Sequence, residues 1–231
     1  STLQELSKFH RKKCNAKVIG ITGSNGKTTT KELIYSVLSS NFKTICTPGN
    51  FNNHIGLPLS LFEIRHDTEF AIIEMGANNF GEIAFLTSLC EPDYGYITNF
   101  GKAHLEGFID INGVIKAKTE LYEWIIKNDK TLLINGEDKN QKKFDNHKHI
   151  MFGCGDNFQF NFREKNNDFV NVLYDNYLFE TKLYGTYNYS NVCAAIALGL
   201  EFGIDKNQIN QSLKNYQPNN NRSEIIKIGD K

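Results

Sequence analysis

Lys17–Thr30 reads KVIGITGSNGKTTT, and this stretch decides the fold. Its first six residues, Lys17–Thr22, form a short apolar, β-branched run that predicts a buried strand. Two glycines and a lysine follow. After them comes a helical pattern, Lys27–Ser39, with Leu33, Ile34, Val37 and Leu38 on one face. A strand passing through a glycine turn into a helix is the setting of a phosphate-binding loop. Gly23 and Gly26 free the backbone to aim N–H groups at phosphate oxygens, and the helix N-terminus adds the positive end of its dipole. Lys27 can reach terminal phosphates, and Thr28 can offer its hydroxyl to Mg²⁺. Thr22, Ser24, Asn25 and Thr29 complete the candidate loop. The usual spacing wants a glycine five positions before Gly26, where this chain has Ile21, so the loop is a variant. The competing reading is a glycine turn carrying a surface lysine.

Outward from the loop, strand-like and helix-like segments alternate. Lys43–Thr47, Phe70–Glu74, Tyr94–Thr98 and Thr131–Asn135 read as strands, and Gly81–Leu89 and Ile111–Lys127 as helices. Pro48–His54 is a polar loop. This alternation predicts an α/β fold, a mostly parallel sheet flanked by helices. After His149 the pattern changes. Phe158–Arg163, Phe169–Tyr174 and Tyr177–Leu183 alternate around turn signals at Asn166-Asn167 and Asp175-Asn176, predicting a small antiparallel β appendage. Asn188–Phe202 and Lys206–Asn215 are predicted helices. Gln217–Asn221 reads as a linker, and Ser223–Ile228 as a strand with no partner left in the chain.

Composition narrows the class. The 231 residues carry 26 basic and 26 acidic side chains, so the net charge is zero. A non-specific nucleic-acid binder needs a basic field, and none is present. The best apolar run, Val192–Leu200, stops at Glu201, short of a membrane span. The first thirteen residues, STLQELSKFHRKK, contain no signal-peptide core. Five widely spaced cysteines form no CxxC pair and suit reduced thiols in a cytoplasm.

Five further positions carry candidate chemistry. Glu74 closes the apolar strand FAII, where an acid can hold Mg²⁺ or simply meet solvent. Lys118 falls near the centre of the apolar stripe of helix Ile111–Lys127, formed by Ile111, Val114, Ile115, Leu121, Tyr122, Ile125 and Ile126. It either snorkels to the surface or is a functional lysine, including one converted by CO₂ to an anionic carbamate that could serve a second Mg²⁺. His104 in NFGKAHLEG follows a strand end and is a structural histidine or a metal ligand. Asn188 and Asn191 in GTYNYSN share one face of a helix start, either as cap residues or as readers of a base edge.

Taken in order, TGSNGKTTT, IIEMGAN, NFGKAHLEG, IKAKTEL, NGED and GTYNYSN resemble the Mur ligases, ATP-dependent amide-forming enzymes of peptidoglycan synthesis. The loop TPGNFNNHIGLP (47–58) is similar to that of the member adding D-alanyl-D-alanine to UDP-N-acetylmuramoyl-tripeptide. The resemblance spans about Leu3 to Arg222. It implies that Lys27 and Thr28 bind ATP phosphates and Mg²⁺, and that Glu74 ligates the same Mg²⁺. It also implies that His104 and a carbamylated Lys118 serve a second Mg²⁺. Asn188 and Asn191 would face adenine, Asn50, Asn52 and Asn53 would lie on the uridine-nucleotide-peptide side, and Arg222 would sit near a hinge. Tyr187 departs from the family, where histidine commonly precedes the asparagine. The resemblance further implies a monomeric, cytoplasmic enzyme acting through an acyl phosphate. Residues 1–217 would be its central ATP-binding domain, and 218–231 a linker and the first strand of a C-terminal domain. On this reading N- and C-terminal domains are missing, and the fragment alone is inactive. Folylpolyglutamate synthase and a cyanophycin-synthetase-like half share the phosphate loop, but the NFNN loop argues against the former. A non-catalytic nucleotide-binding module is the rival from another class. A P-loop GTPase or kinase would have no use for the asparagine pair or the inward lysine.

Overall fold

The computed structural model describes residues 1–101, 108, 110–154, 157–163 and 169–218. The phosphate-loop stretch begins as strand β1 (Lys17–Thr22), buried at every position after Lys17. It continues into helix α2 (Lys27–Leu38), after an N-terminal helix α1 (Thr2–Lys13) that the sequence reading did not predict. Strands β2 (Thr44–Cys46), β3 (Phe70–Glu74), β4 (Tyr94–Ile97), β5 (Thr131–Asn135), β6 (His149–Gly153) and β7 (Phe158–Gln159) join β1 in a seven-stranded sheet. Its order is β2-β3-β1-β4-β5-β6-β7. Every pairing in it is parallel.

Successive residues of a strand face opposite sides, so a sheet covered on both faces needs near-continuous apolar strands. Val18, Ala71, Ile73, Ile97, Leu132 and Ile134 point into one core. Helices α3 (Gly56–Phe62), α4 (Glu82–Cys90) and α5 (Ile111–Lys127) close that core through Leu57, Leu61, Ile83, Leu86, Val114 and Leu121. Ile19, Ile21, Ile72, Tyr96 and Leu133 point into the other core. There they meet α2, α7 (Tyr189–Glu201) and α8 (Lys206–Asn215). A short helix, α6 (Lys139–Lys142), is started by Asp138, whose side chain accepts from the amides of Asn140 and Gln141. None of the helices among the described residues is long and apolar enough to cross a membrane.

The second half corrects one expectation. Phe158–Arg163 is not a single antiparallel strand. Phe158 and Gln159 extend the parallel sheet beside β6, while Asn161–Arg163, strand β8, pairs antiparallel with β9 (Phe169–Tyr174). β10 (Tyr177–Tyr184) completes the three-stranded sheet. Phe160 between the two pieces is buried in the same core as Phe152, Val172 and Phe179. One aromatic side chain entering a shared core breaks the alternation that a single strand would need. β6 and α3 were also unread: HIMFG and GLPLSLF are apolar runs too short for period to decide their type. The turn at 166–167, the linker beyond 218 and the strand expected at 223–228 lie outside the described residues.

Candidate functional site

β1, β3 and β4 are neighbours in the sheet although β2 and β3 follow β1 in the chain, so the order reverses at β1. Open parallel sheets bind ligands at the carboxyl ends of strands beside such a reversal. Three segments leave the sheet there. Residues 23–26 follow β1, Glu74 ends β3, and Thr98–Gly101 follows β4.

The glycine loop is clamped to the segment after β4. Ser24 N donates to Asn99 O (3.1 Å) and Asn25 N to Asn99 Oδ1 (3.0 Å). Thr98 Oγ1 donates to Asn25 O (2.6 Å), and Ser24 Oγ to Gly101 O (2.9 Å). Thr22 Oγ1 donates to Met75 O (3.0 Å), tying the loop's start to the other neighbour strand. Gly23 has φ +141°, and a Cβ there would come within 2.0 Å of Thr98 Oγ1. Gly26 caps α2 with φ +76°. The first helical bond of α2 is Thr30 N to Gly26 O (2.8 Å). The amides of Gly26, Lys27, Thr28 and Thr29 therefore lie before the helical ladder, the group that a phosphate can engage. Lys27 Nζ folds back to Gly23 O (2.8 Å) and Ser24 O (3.1 Å), contacts that an anion in the loop would replace.

Glu74 is buried at the end of β3. Its Oε1 accepts from Asn52 Nδ2 (2.8 Å) and from Thr28 Oγ1 (3.3 Å). Its Oε2 is buried without a hydrogen bond and faces Lys31 Nζ at 3.5 Å. Octahedral Mg²⁺ with bonds of about 2.1 Å sets neighbouring ligands about 3 Å apart. Thr28 Oγ1 and Glu74 Oε1 come close to that spacing, and a hydroxyl with a carboxylate is a hard oxygen donor set. These residues fit a magnesium ion. Among the described residues there is no group of three or more His, Cys, Asp or Glu side chains able to hold a metal without the ligand's own oxygens.

Lys118 points inward from α5 and is 2% exposed, so it does not snorkel. Its Nζ lies 3.5 Å from Ala77 O and 5.5 Å from the Phe108 ring centroid. Burial, with the charge of Lys27 adding to it, lowers its pKa to about 8. At that pKa about a tenth of the lysine is neutral at pH 7, far more than for an exposed lysine. The loop it faces is fastened by Glu120, whose carboxylate accepts from Gly81 N (2.7 Å) and Ala84 N (2.9 Å).

A polar cleft of about 410 Å³ opens beside Lys27. Asn52, Asn53, His54, Ala77, Asn78 and Glu82 line it. Asn53 Oδ1 accepts from Ile55 N and Gly56 N and starts α3. Asn50 is exposed, and its carbonyl accepts from Asn52 N (2.7 Å). Asn188 and Asn191 are buried behind the loop instead. Asn191 Nδ2 donates to Asn188 Oδ1 (3.0 Å), Asn188 Nδ2 to Tyr184 O (2.8 Å), and Thr30 Oγ1 to Asn191 Oδ1 (3.0 Å). Asn188 opens α7 without a side-chain cap. His104 and Arg222 lie outside the described residues.

The structure therefore brings Lys27, Asn52 and Asn53 to one cleft, with Glu74 and Thr28 hydrogen-bonded in a buried chain behind Asn52 and Lys118 behind Ala77. Sequence reasoning missed Lys31, His54 and the clamp at Thr98–Asn99. Lys31 had a signal: it precedes Ile34 and Leu38 by three and seven residues and so shares the apolar face of α2.

Comparison with known proteins points to one family. The family model described as "Mur ligase middle domain" matches residues 21–199. A UDP-N-acetylmuramoyl-tripeptide–D-alanyl-D-alanine ligase of Bacillus subtilis (strain 168) is 34% identical over 232 residues, covering 98% of this chain and 50% of the relative. A crystal structure of MurF from Acinetobacter baumannii superposes with TM-score 0.82 at 30% identity, covering 94% of this chain and 49% of that one. MurF ligase from Thermotoga maritima, solved in complex with ADP, gives TM-score 0.79 at 26% identity, covering 94% and 52%. The chain spans about half the length of the curated relatives it matches.

Proposed function

Because the chain belongs to the Mur ligase family, we propose that it is the ATP-binding middle unit of a ligase joining D-alanyl-D-alanine to UDP-N-acetylmuramoyl-tripeptide. Residues 1–217 would form that unit, with 218–231 leading into a C-terminal domain. The remaining half of the relatives' length would supply the nucleotide-sugar and C-terminal domains of a monomeric, cytoplasmic enzyme. The observation that carries the reading is a cleft lined by Lys27 and Asn52, with the Thr28–Glu74 oxygen pair hydrogen-bonded directly behind Asn52.

In this reading the γ-phosphoryl group of ATP passes to the peptide carboxylate, giving an acyl phosphate. The amine of D-alanyl-D-alanine then attacks the acyl carbon, and phosphate leaves through a tetrahedral intermediate. Lys27 leaves the Gly23 and Ser24 carbonyls and follows the transferring phosphoryl charge, while the amides of Gly26–Thr29 hold the remaining phosphates. Thr28 and Glu74 would hold Mg²⁺, which would supply positive charge to offset that of the phosphate oxygens. Lys118, as a carbamate, and His104 would serve a second ion. Asn52 and Asn53 orient the peptide side, and Asn188 with Asn191 support the adenine side. Arg222 acts near the hinge. Positioning and charge carry the chemistry, and the chain contributes no covalent nucleophile.

Calorimetric titration of the 231-residue chain with ATP, with and without Mg²⁺, tests the nucleotide site. Weak, metal-dependent binding is expected, and absent or metal-independent binding in a folded sample overturns it. Substrate assignment is tested on the full-length protein by phosphate release. UDP-N-acetylmuramoyl-tripeptide with D-alanyl-D-alanine should stimulate release, and folate with glutamate should not.

A further inference from the structure

Lys31 is one of the most completely buried charged side chains in the molecule, at 1% exposure, and no step above uses it. An ammonium carries three donors and no acceptor. Lys31 Nζ gives one to Thr47 O (2.8 Å) and one to Gly49 O (2.9 Å), and its remaining side faces Glu74 Oε2 at 3.5 Å. We propose that Lys31 is a positioning residue that holds the Glu74 side chain aimed at Thr28. By the same contacts it pins the 47–49 backbone that leads to Asn52.

The geometry argues this from both ends. Glu74 Oε2 has no hydrogen bond, so the nearby ammonium is the group that offsets its burial. A buried carboxylate oxygen with neither a hydrogen bond nor a counter-charge is costly to keep in place, so without the ammonium the Glu74 side chain loses what fixes its direction. Lys31 stands one helical turn beyond Lys27 on α2, with Thr28 between them. The same helix thus presents one lysine to the phosphate loop and the other to the carboxylate. Thr47 joins the arrangement again: its Oγ1 accepts from Glu74 N (3.0 Å). Strand end, loop and helix are locked around one buried charge pair.

This inference rests on the magnesium site proposed above, so its test has an arm independent of nucleotide. Lys31→Met keeps the side-chain length and removes the charge. In thermal denaturation it should lower Tm by about 6–12 °C, because it strands a buried carboxylate. Adding Glu74→Gln should recover at least half of that loss, or restore folding if the single variant does not fold. Failure of Glu74→Gln to rescue overturns the pairing. In the folded Lys31→Met variant, calorimetry with ADP should show the Mg²⁺-dependent gain in affinity reduced at least tenfold. ADP binding in EDTA should stay within threefold, and Lys31→Arg should keep most of the Mg²⁺ gain. A folded Lys31→Met variant with the full gain also overturns the proposal. A wild-type chain with no Mg²⁺-dependent gain would instead overturn the nucleotide site, leaving the stability arm to judge Lys31.

Discussion

Replacing Lys118 with methionine should make the chain more stable at neutral pH, although the position is proposed to serve the reaction. The buried amine has its pKa lowered from 10.5 to about 8. At 1.36 kcal/mol per pKa unit, keeping it charged in the folded state costs about 3 kcal/mol relative to the unfolded chain. Methionine has similar length and no charge to desolvate. It forfeits the Phe108 ring contact, worth about 0.5–1 kcal/mol, and a long contact to Ala77 O. The net gain is about 2 kcal/mol, or about 4–8 °C in Tm for a chain of this size. The pH dependence fixes the sign. Below pH 8 the lysine is charged in both states and the full cost applies. Between pH 8 and 10.5 the folded state has released a proton that the unfolded state keeps, so wild-type stability rises relative to the variant. Above 10.5 the difference vanishes. Urea denaturation of both proteins in CO₂-free buffer at pH 7, 9 and 10.5 measures this. A variant no more stable than wild type at pH 7, or a gap that does not shrink by pH 10.5, refutes the reasoning.

Lys118→Ala in the full-length protein should abolish substrate-dependent phosphate release, and bicarbonate should not restore it; normal turnover would remove the carbamate role. Gly23→Ala should destabilise the chain by about 2–5 kcal/mol, since it combines positive φ with a clash on Thr98, and should erase nucleotide binding. Thermal denaturation and ADP calorimetry read the two effects separately. Gln141→Leu should cost about 2–5 kcal/mol in urea denaturation. Buried Gln141 donates to Ile97 O (2.8 Å) and accepts from Asn135 N (2.9 Å), so leucine orphans two backbone groups, while Tyr122 Oη keeps its shorter bond to Leu133 O (2.6 Å).

The parallel sheet was legible because its strands are buried on both faces. KVIGIT, FAIIE and TLLIN are unbroken apolar runs, and each meets a glycine- or asparagine-rich turn where the backbone changes direction. The phosphate loop, Glu74 and inward Lys118 were legible for a related reason: each departs locally from a pattern its neighbours keep. What escaped lacked such a contrast. Lys31 shares the apolar face of α2 but lies among threonines and a glutamate, so the partners that make its burial tolerable appear only where the 47–49 loop packs, a tertiary fact. The clamp through Thr98 and Asn99 joins residues more than seventy positions apart. The split of Phe158–Arg163 depends on which sheet each half finds, and alternation within six residues carries no such address. The asparagine pair reads from sequence as a helix cap or as a reader of a base edge, and the hydrogen bonds by which it also braces the loop from behind depend on where α7 packs.

Phe160 has a consequence for how the molecule comes apart. Its ring stacks 6.1 Å from Phe158 and meets Tyr174 edge-on at 5.3 Å, so one aromatic column crosses from the seven-stranded sheet to the three-stranded one. No seam separates a main body from a detachable module. Native-state hydrogen exchange should therefore give β6 and β9 the same opening free energy, with both amide sets released in a single cooperative event. Evolution or an engineer trimming the small sheet would not be pruning a branch, because the cut would pass through the trunk.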